Sequence, residues 1–165
     1  MTNNLSILSL LVRNEPAVLT RISSLIARRG FNIDSLAVGE THDRSISRMT
    51  ITFRGDEYVK DQIVKQISKL HDVIKAELMD VTEMVARELL LVKVEAKNGQ
   101  RGEIVQAAPV FGANIIELSQ ESLTLEMSGE VSKVTEFIEF LKPYGIAELC
   151  RTGTTALGKG QYILN

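Results

Sequence analysis

Residues 30–36 read Gly30-Phe31-Asn32-Ile33-Asp34-Ser35-Leu36, and residues 112–118 read Gly112-Ala113-Asn114-Ile115-Ile116-Glu117-Leu118. The two runs agree at four positions and lie 82 residues apart in a chain of 165 residues, which marks an internal repeat. Gly30 closes a helical pattern, because glycine readily takes the left-handed conformation that ends helices, and Phe31 can fold back onto the last turn. Whatever fold the first run belongs to, the second repeats it.

Upstream of Gly30, Ser6 to Val12 is a nearly continuous apolar run of strand length, closed by Arg13-Asn14-Glu15-Pro16. Val18, Leu19, Ile22, Leu25 and Ile26 then recur at helical spacing, with Asn14 placed to cap the first amides and Pro16 tolerable in the first turn. Downstream, Asn32 to Glu40 carries Ile33, Leu36 and Val38, whose alternation slips at Asp34-Ser35 and predicts a bulged strand. Between Ile46 and Arg54, Met49, Ile51 and Phe53 alternate with Arg48, Thr50, Thr52 and Arg54, giving one buried face and one polar face. Asp56 caps a second helix with Val59, Ile63, Ile67 and Leu70 in its stripe, and a fourth strand carries Ile74, Ala76 and Leu78 on one face. This is the split βαβ order of a ferredoxin-like layer.

After a linker at residues 80–86 the same order begins again. Leu90, Val92, Val94 and Ala96 mark a strand, and Ile104, Val105, Ala108 and Phe111 a helix face that Pro109 should kink. Residues 113–119 and 123–128 form a hairpin, Val131, Val134, Phe137, Ile138 and Leu141 a helix, and residues 146–151 a last strand. The fold class is therefore α+β, with two tandem ferredoxin-like βαββαβ domains. The first spans residues 1–79 and the second residues 87–165, ending in a flexible tail.

Composition narrows the chemistry. Lys plus Arg is 19 against Asp plus Glu at 21, which leaves no electrostatic footprint for nucleic acid. No run approaches the roughly 20 apolar residues of a membrane span, and no basic segment precedes the first apolar run as in a secretory signal. A cytosolic location is expected. With two histidines and one cysteine, Cys/His metal sites of the usual ligand count are excluded, and no metal site is expected. His42 and His71 read as exposed turn residues, and Cys150 as a small core residue. No catalytic constellation can be nominated. Gly153 to Gly160 comes within one residue of the phosphate-loop pattern but is followed by too little chain to build the helix such a loop needs.

One place looks like a binding site. The loop Arg13-Asn14-Glu15-Pro16 leads into the amino terminus of the first helix, where backbone amides and the helix dipole favour a carboxylate. Asn32, on the neighbouring strand, offers an amide oxygen to an ammonium group. Together they suit a free amino acid. The plainer reading, Asn14 as helix cap and Asn32 as turn residue, is favoured by the pattern alone.

At these residues the chain resembles a known family. LSLLVRNEPAVLTRISSLIARRGFNIDSLAVGET, residues 8–41, followed by SRMTI, residues 47–51, closely resembles the ACT domain of the small, regulatory subunits of acetolactate synthase, also called acetohydroxyacid synthase. The likeness continues through RELLLVKV at residues 87–94 and RTGTTALGKG at residues 151–160. It implies a cytoplasmic, non-catalytic subunit that raises the activity of a catalytic large subunit. It also implies binding of a branched-chain amino acid, usually valine, and feedback inhibition of valine, leucine and isoleucine biosynthesis. No cofactor is implied in this chain; thiamine diphosphate, magnesium and FAD belong to the catalytic partner. By the same resemblance the effector lies between two ACT domains of a homodimer. Its carboxylate falls on Asn14, Glu15, Pro16, Ala17 and Val18, and its ammonium near Asn32 with Ile33 beside it. Many members of the family have glycine at the position of Ala17. A positive φ there would make alanine costly and weaken effector binding, whereas an ordinary helix start would make it harmless.

Two other readings compete with this one. The chain would be an ACT-type amino-acid sensor acting on another enzyme or a transcription regulator, or a small phosphate-binding enzyme built on the glycine-rich tail.

Overall fold

The structure, a computed structural model, describes residues 5–95 and 99–164. It divides into two compact units: one runs up to Val85 and takes in the chain again from Thr154, and the other is Ala86–Gly153.

In the first unit, β1 (Leu5–Arg13), α1 (Val18–Arg28), β2 (Ile33–Glu40), β3 (Ile46–Arg54), α2 (Glu57–Ile67) and β4 (Val73–Leu78) follow in the expected order. The strands form an antiparallel sheet in the order β2-β3-β1-β4. Leu8, Leu10 and Val12 of β1 share a core with Met49, Ile51 and Phe53 of β3 and with Val18, Ile22, Ile26, Ile63 and Ile67 of the helices. Gly30 has φ of 73°, and the N–H of Phe31 donates to Ile26 O at 3.4 Å, so α1 ends as its sequence predicts. Asp56 caps α2 by accepting from the Val59 N–H at 2.9 Å. The slip expected at Asp34 is real, since the β2–β3 pairing shifts between Ile33 and Ser35.

β4 departs from expectation. Its pairing with β1 shifts between Leu11 and Val12, which puts Val73, not Ile74, beside Ala76 and Leu78 against the core and leaves Ile74 exposed. An irregular residue inverts the alternation on one side of itself.

The second unit repeats the plan with β5 (Met84–Glu95), α3 (Arg101–Phe111), β6 (Ala113–Leu118), β7 (Ser122–Gly129), α4 (Val131–Leu141) and β8 (Ile146–Arg151). Its strand order is β6-β7-β5-β8, and Leu90, Val92, Val94, Ile104, Ala108, Leu123, Leu125, Val134, Phe137 and Leu141 form the core. Phe111 packs against Phe137 and Phe140 at ring distances of 5.0 and 5.3 Å. The landmarks recur at the 82-residue interval. Gly112 has φ of 74°, β6 shifts register between Ile115 and Glu117, and β5 shifts against β8 between Lys93 and Val94, the counterparts of Gly30, Ile33/Ser35 and Leu11/Val12.

Several details differ from the sequence reading. Residues 84–86 of the expected linker begin β5, and the division between units falls inside that strand. Val105 is exposed, because α3 buries Ile104 and Ala108; Pro109 lies in its last turn. Cys150 is exposed rather than in the core. It sits on the edge strand β8 opposite Leu91, on the face away from core Val92. Ala96 lies outside the described residues.

The largest departure is the tail. It groups with the first unit, and Thr155–Gly158 forms a strand, β9, that pairs with β5. Lys159 N–H donates to Glu83 O at 2.8 Å. Arg48 Nη2 donates to Ala156 O at 3.1 Å, and Thr154 N–H to Ser35 Oγ at 3.4 Å. The polar face of β3 is consequently not a solvent face, with Thr50 and Thr52 only 3% and 2% exposed. Among the described residues no helix is long and apolar enough to cross a membrane.

Tyr162, in the tail, donates its hydroxyl to Glu77, and this bond to a carboxylate pushes the phenol up to about 12. The neutral phenol is therefore the form the folded chain favours. Its contribution is complete below about pH 10, where a free tyrosine titrates, and is lost as pH rises through about 12. An ultraviolet titration of the folded chain should show a late tyrosine step near pH 12 that Tyr162→Phe abolishes.

Candidate functional site

β1 hands the chain to the loop at Asn14–Ala17 through two backbone bonds, Arg13 N–H to Asp72 O at 2.8 Å and Asn14 N–H to Ser45 O at 2.7 Å. Asn14 is not the helix cap. Its Nδ2 donates to Arg44 O at 2.9 Å and to Glu40 Oε1 at 3.2 Å, which ties the loop to the β2–β3 connection. That connection is itself rigidified by Asp43, whose carboxylate accepts from the Ser45 hydroxyl and N–H, bonds that lower its pKa. Pro16 precedes the helix instead of entering its first turn, and its carbonyl accepts from Arg21 Nη2 at 3.5 Å. Arg21 Nε in turn bonds Asp72 Oδ2 at 2.6 Å. Asp72, 7% exposed, thus holds the loop through both its carbonyl and its side chain.

Ala17 occupies the cap position of α1 with φ of 67° and ψ of 3°, and no side chain caps the helix. It is the one non-glycine among the described residues with positive φ. An L-residue bears about 1–2 kcal/mol of steric cost in that conformation. The residue 82 positions on, Gly99, also has positive φ, 81°, just before α3. α1 has no acidic residue in its first turn, and a helix leaves its first amides without partners inside itself. Asn14, Glu15, Pro16 and Ala17 are exposed around these amides, while Val18 is buried and anchors the turn. Val18 N–H donates to Glu15 O at 3.5 Å, and the positive end of the helix dipole makes the surroundings of this turn favourable to negative charge.

Asn32 and Ile33 follow Gly30 at the far end of α1. Asn32 Nδ2 donates to Asp34 Oδ1 at 3.2 Å, and Arg54 Nε bonds Asp34 Oδ2 at 3.0 Å. With its N–H side engaged, the amide oxygen is the half suited to an ammonium donor. Ile33 is half-buried against the core. The eleven residues of α1 separate the two groups by roughly 16 Å at about 1.5 Å per residue. One chain therefore brings Asn14–Val18 together and Asn32–Ile33 together, but not the two groups with each other.

Arg21, Glu40, Arg44 and Asp72 were not legible as parts of the site. Asp72 is 51 residues from Arg21, and no periodicity links a turn residue to a helix surface at that distance. His42 and His71 are exposed, and among the described residues no group of His, Cys, Asp and Glu could hold a metal. The segment resembling a phosphate loop forms β9 rather than a turn opening a helix.

Residues 8–75 match the AHAS small subunit-like ACT domain, and residues 87–160 match the family described as the small subunit of acetolactate synthase. A probable acetolactate synthase small subunit of Methanothermobacter thermautotrophicus is 45% identical over 155 residues, 93% of this chain and 92% of that one. The chain belongs to the acetolactate synthase small-subunit family. The probable small subunit of Archaeoglobus fulgidus is also 45% identical, over 93% of this chain and 96% of its own length. The crystal structure of the acetolactate synthase small subunit from Thermotoga maritima matches with a TM-score of 0.89 and 37% identity, covering 96% of this chain and 99% of that one. The small-subunit match takes in both the loop at Ala17 and the glycine-rich tail.

Because glycine adopts positive φ without steric cost, Ala17→Gly should stabilise the chain by about 1 kcal/mol, read as a higher urea midpoint at unchanged slope.

Proposed function

We propose that this chain is the non-catalytic, regulatory subunit of a cytoplasmic acetolactate synthase. It activates the catalytic large subunit and binds a branched-chain amino acid, valine foremost, as feedback inhibitor. In this reading thiamine diphosphate, magnesium and FAD reside in the large subunit and none in this chain.

The observation that carries the effector site is the placement of its two halves. β2 is an edge strand, with the Asn32 end at one tip and Glu40 at the other, and Glu40 holds Asn14. An edge strand presents unpaired backbone groups to another chain. Antiparallel pairing of β2 with β2 of a second copy lays the Asn32 end of one chain beside the Glu40 end, and so the Asn14–Val18 loop, of the other. Two-fold symmetry makes two such crevices. The exposed Asn14–Ala17 loop at the start of α1 receives the effector carboxylate, and Asn32 Oδ1 of the other copy receives its ammonium. The aliphatic side chain lies by Ile33. Occupation favours one arrangement of the pair, and the difference in affinity between arrangements supplies the coupling, typically about 1–3 kcal/mol.

A sensor for some other enzyme would share the ACT sheet, but the match of the whole chain to small subunits supports the large subunit as partner. Mixing the chain with an acetolactate synthase large subunit should raise turnover and confer inhibition by valine; no change in either, with both proteins folded, defeats the proposal. Asn32→Ala should abolish inhibition and leave activation intact, and equal loss of both would show that one surface serves both roles.

A further inference from the structure

The glycine-rich tail is the motif that this function leaves unexplained, and its position gives it a role. We infer that residues 154–164 are a strap that holds the edge strand β2 in the shape the effector site needs, so that releasing the strap lowers effector affinity while activation persists. The inference rests on the function proposed above and adds a positioning element to it.

The strap touches the sheet at three points. Thr154 N–H donates to Ser35 Oγ, which lies 2.6 Å from Thr52 Oγ1. Ser35 is where β2 regains register after its bulge, and the bulge separates it from Ile33. The strap therefore holds the far side of the irregularity that aims Asn32 and Ile33. At the second point Arg48 Nη2 donates to Ala156 O, and Arg48 is paired with Gly39, the neighbour of the Glu40 that fixes Asn14. At the third, Tyr162 donates to Glu77 of β4, at the opposite edge of the sheet. Both ends of β2 are thus in register with a strap contact.

The strap meets β2 and β3 through polar contacts. Its buried residues are Thr154, Ala156 and Leu164, and the sheet beneath offers polar Ser9, Thr50 and Thr52. Arg48 Nε is buried without a hydrogen-bond partner, and burial lowers the pKa of this guanidinium. Hydrogen bonds that water can replace contribute little each, so the strap gains little net stability from each of its contacts with β2 and β3. Its closure depends on Gly158. A Cβ there would lie 1.9 Å from Cδ1 and 2.8 Å from Cγ of Tyr162, so only glycine lets the ring fold back over the strand. Lys159 Nζ donates to Thr82 O at 2.8 Å and fixes the same turn. The glycine and lysine that imitate a phosphate loop serve this turn.

The test uses the full chain, alone and with the large subunit, as wild type, Gly158→Val and Tyr162→Phe. Amide hydrogen exchange reports release of residues 154–164 and loosening of β2, calorimetric titration reports valine affinity, and turnover of the mixture reports activation. Gly158→Val should speed exchange in both segments and weaken valine binding at least fivefold, with activation within twofold of wild type. Tyr162→Phe, which removes only one hydroxyl, should move each readout in the same direction by less and serves if Gly158→Val does not fold. Faster exchange in the strap with unchanged valine affinity overturns the inference, as does unchanged exchange in both variants. A wild-type chain that binds none of valine, leucine and isoleucine overturns the effector reading itself, a result distinct from equal binding by wild type and variants.

Discussion

At Ala17 the chain adopts a φ of 67° that an L-residue avoids, and it does so between two firmly held neighbours. On one side Arg13 and Asn14 are bonded to Asp72 and Ser45; on the other Val18 is buried in the core. The central strand β1 and helix α1 must be joined across the top of the sheet within a few residues, and a left-handed step is the way to reverse direction in that space. The strain is outweighed by the burial of Leu8, Leu10, Val12, Ile22 and Ile26 that the reversal permits. Its by-product is a helix start that no side chain caps, with only Glu15 O accepting from Val18 N–H. The proposed carboxylate site thus coincides with this strained turn, and Gly99, 82 residues on, also has positive φ.

The sequence displayed whatever depends on local alternation. The strand and helix order, the cap at Asp56, the stop at Gly30 and the slip at Asp34 each follow from a few neighbouring residues, and all are present. The loop and Asn32 were legible as candidates because amide-bearing residues stood at a helix start and a strand start. What escaped was non-local. That Asn14 bonds Glu40 and Arg44 instead of capping its own helix depends on a hairpin 26 to 30 residues away. That Ile74 faces water depends on the pairing of β4 with β1. Cys150 looked like a core residue because it lies among apolar neighbours, yet an edge strand has one face that no helix covers.

The polar face of the first sheet shows the same limit more sharply. Arg48, Thr50 and Thr52 alternate with apolar residues as a solvent-facing row does, and alternation cannot distinguish water from another polar segment as the occupant of that face. The occupant is the chain's own end, more than a hundred residues later. Its composition matches the task. Its backbone meets the Ser35 hydroxyl and Arg48 Nη2, contacts that an apolar side chain could not supply, while Ser9 Oγ and Arg48 Nε stay buried without a partner. A glycine-rich tail suits this surface for the reason that it looked unstructured in isolation.

The magnitudes also suit the regulatory role inferred for the strap. Coupling between an effector and a partner amounts to about 1–3 kcal/mol, the energy of a few net hydrogen bonds. An element held by many buried apolar residues would be too firmly attached to respond on that scale, and a frayed terminus would transmit nothing. The tail combines polar bonds to Ser35 and Arg48, the strand β9 with the Lys159 bond to Glu83, two buried aliphatic side chains and one closing turn at Gly158. It contacts the sheet at Ser35 and Arg48, the positions from which both ends of the edge strand are set. In the proposed pair, a change in how β2 meets a second copy would be accommodated by the strap or resisted by it, and either response would enter the free-energy difference read by the effector.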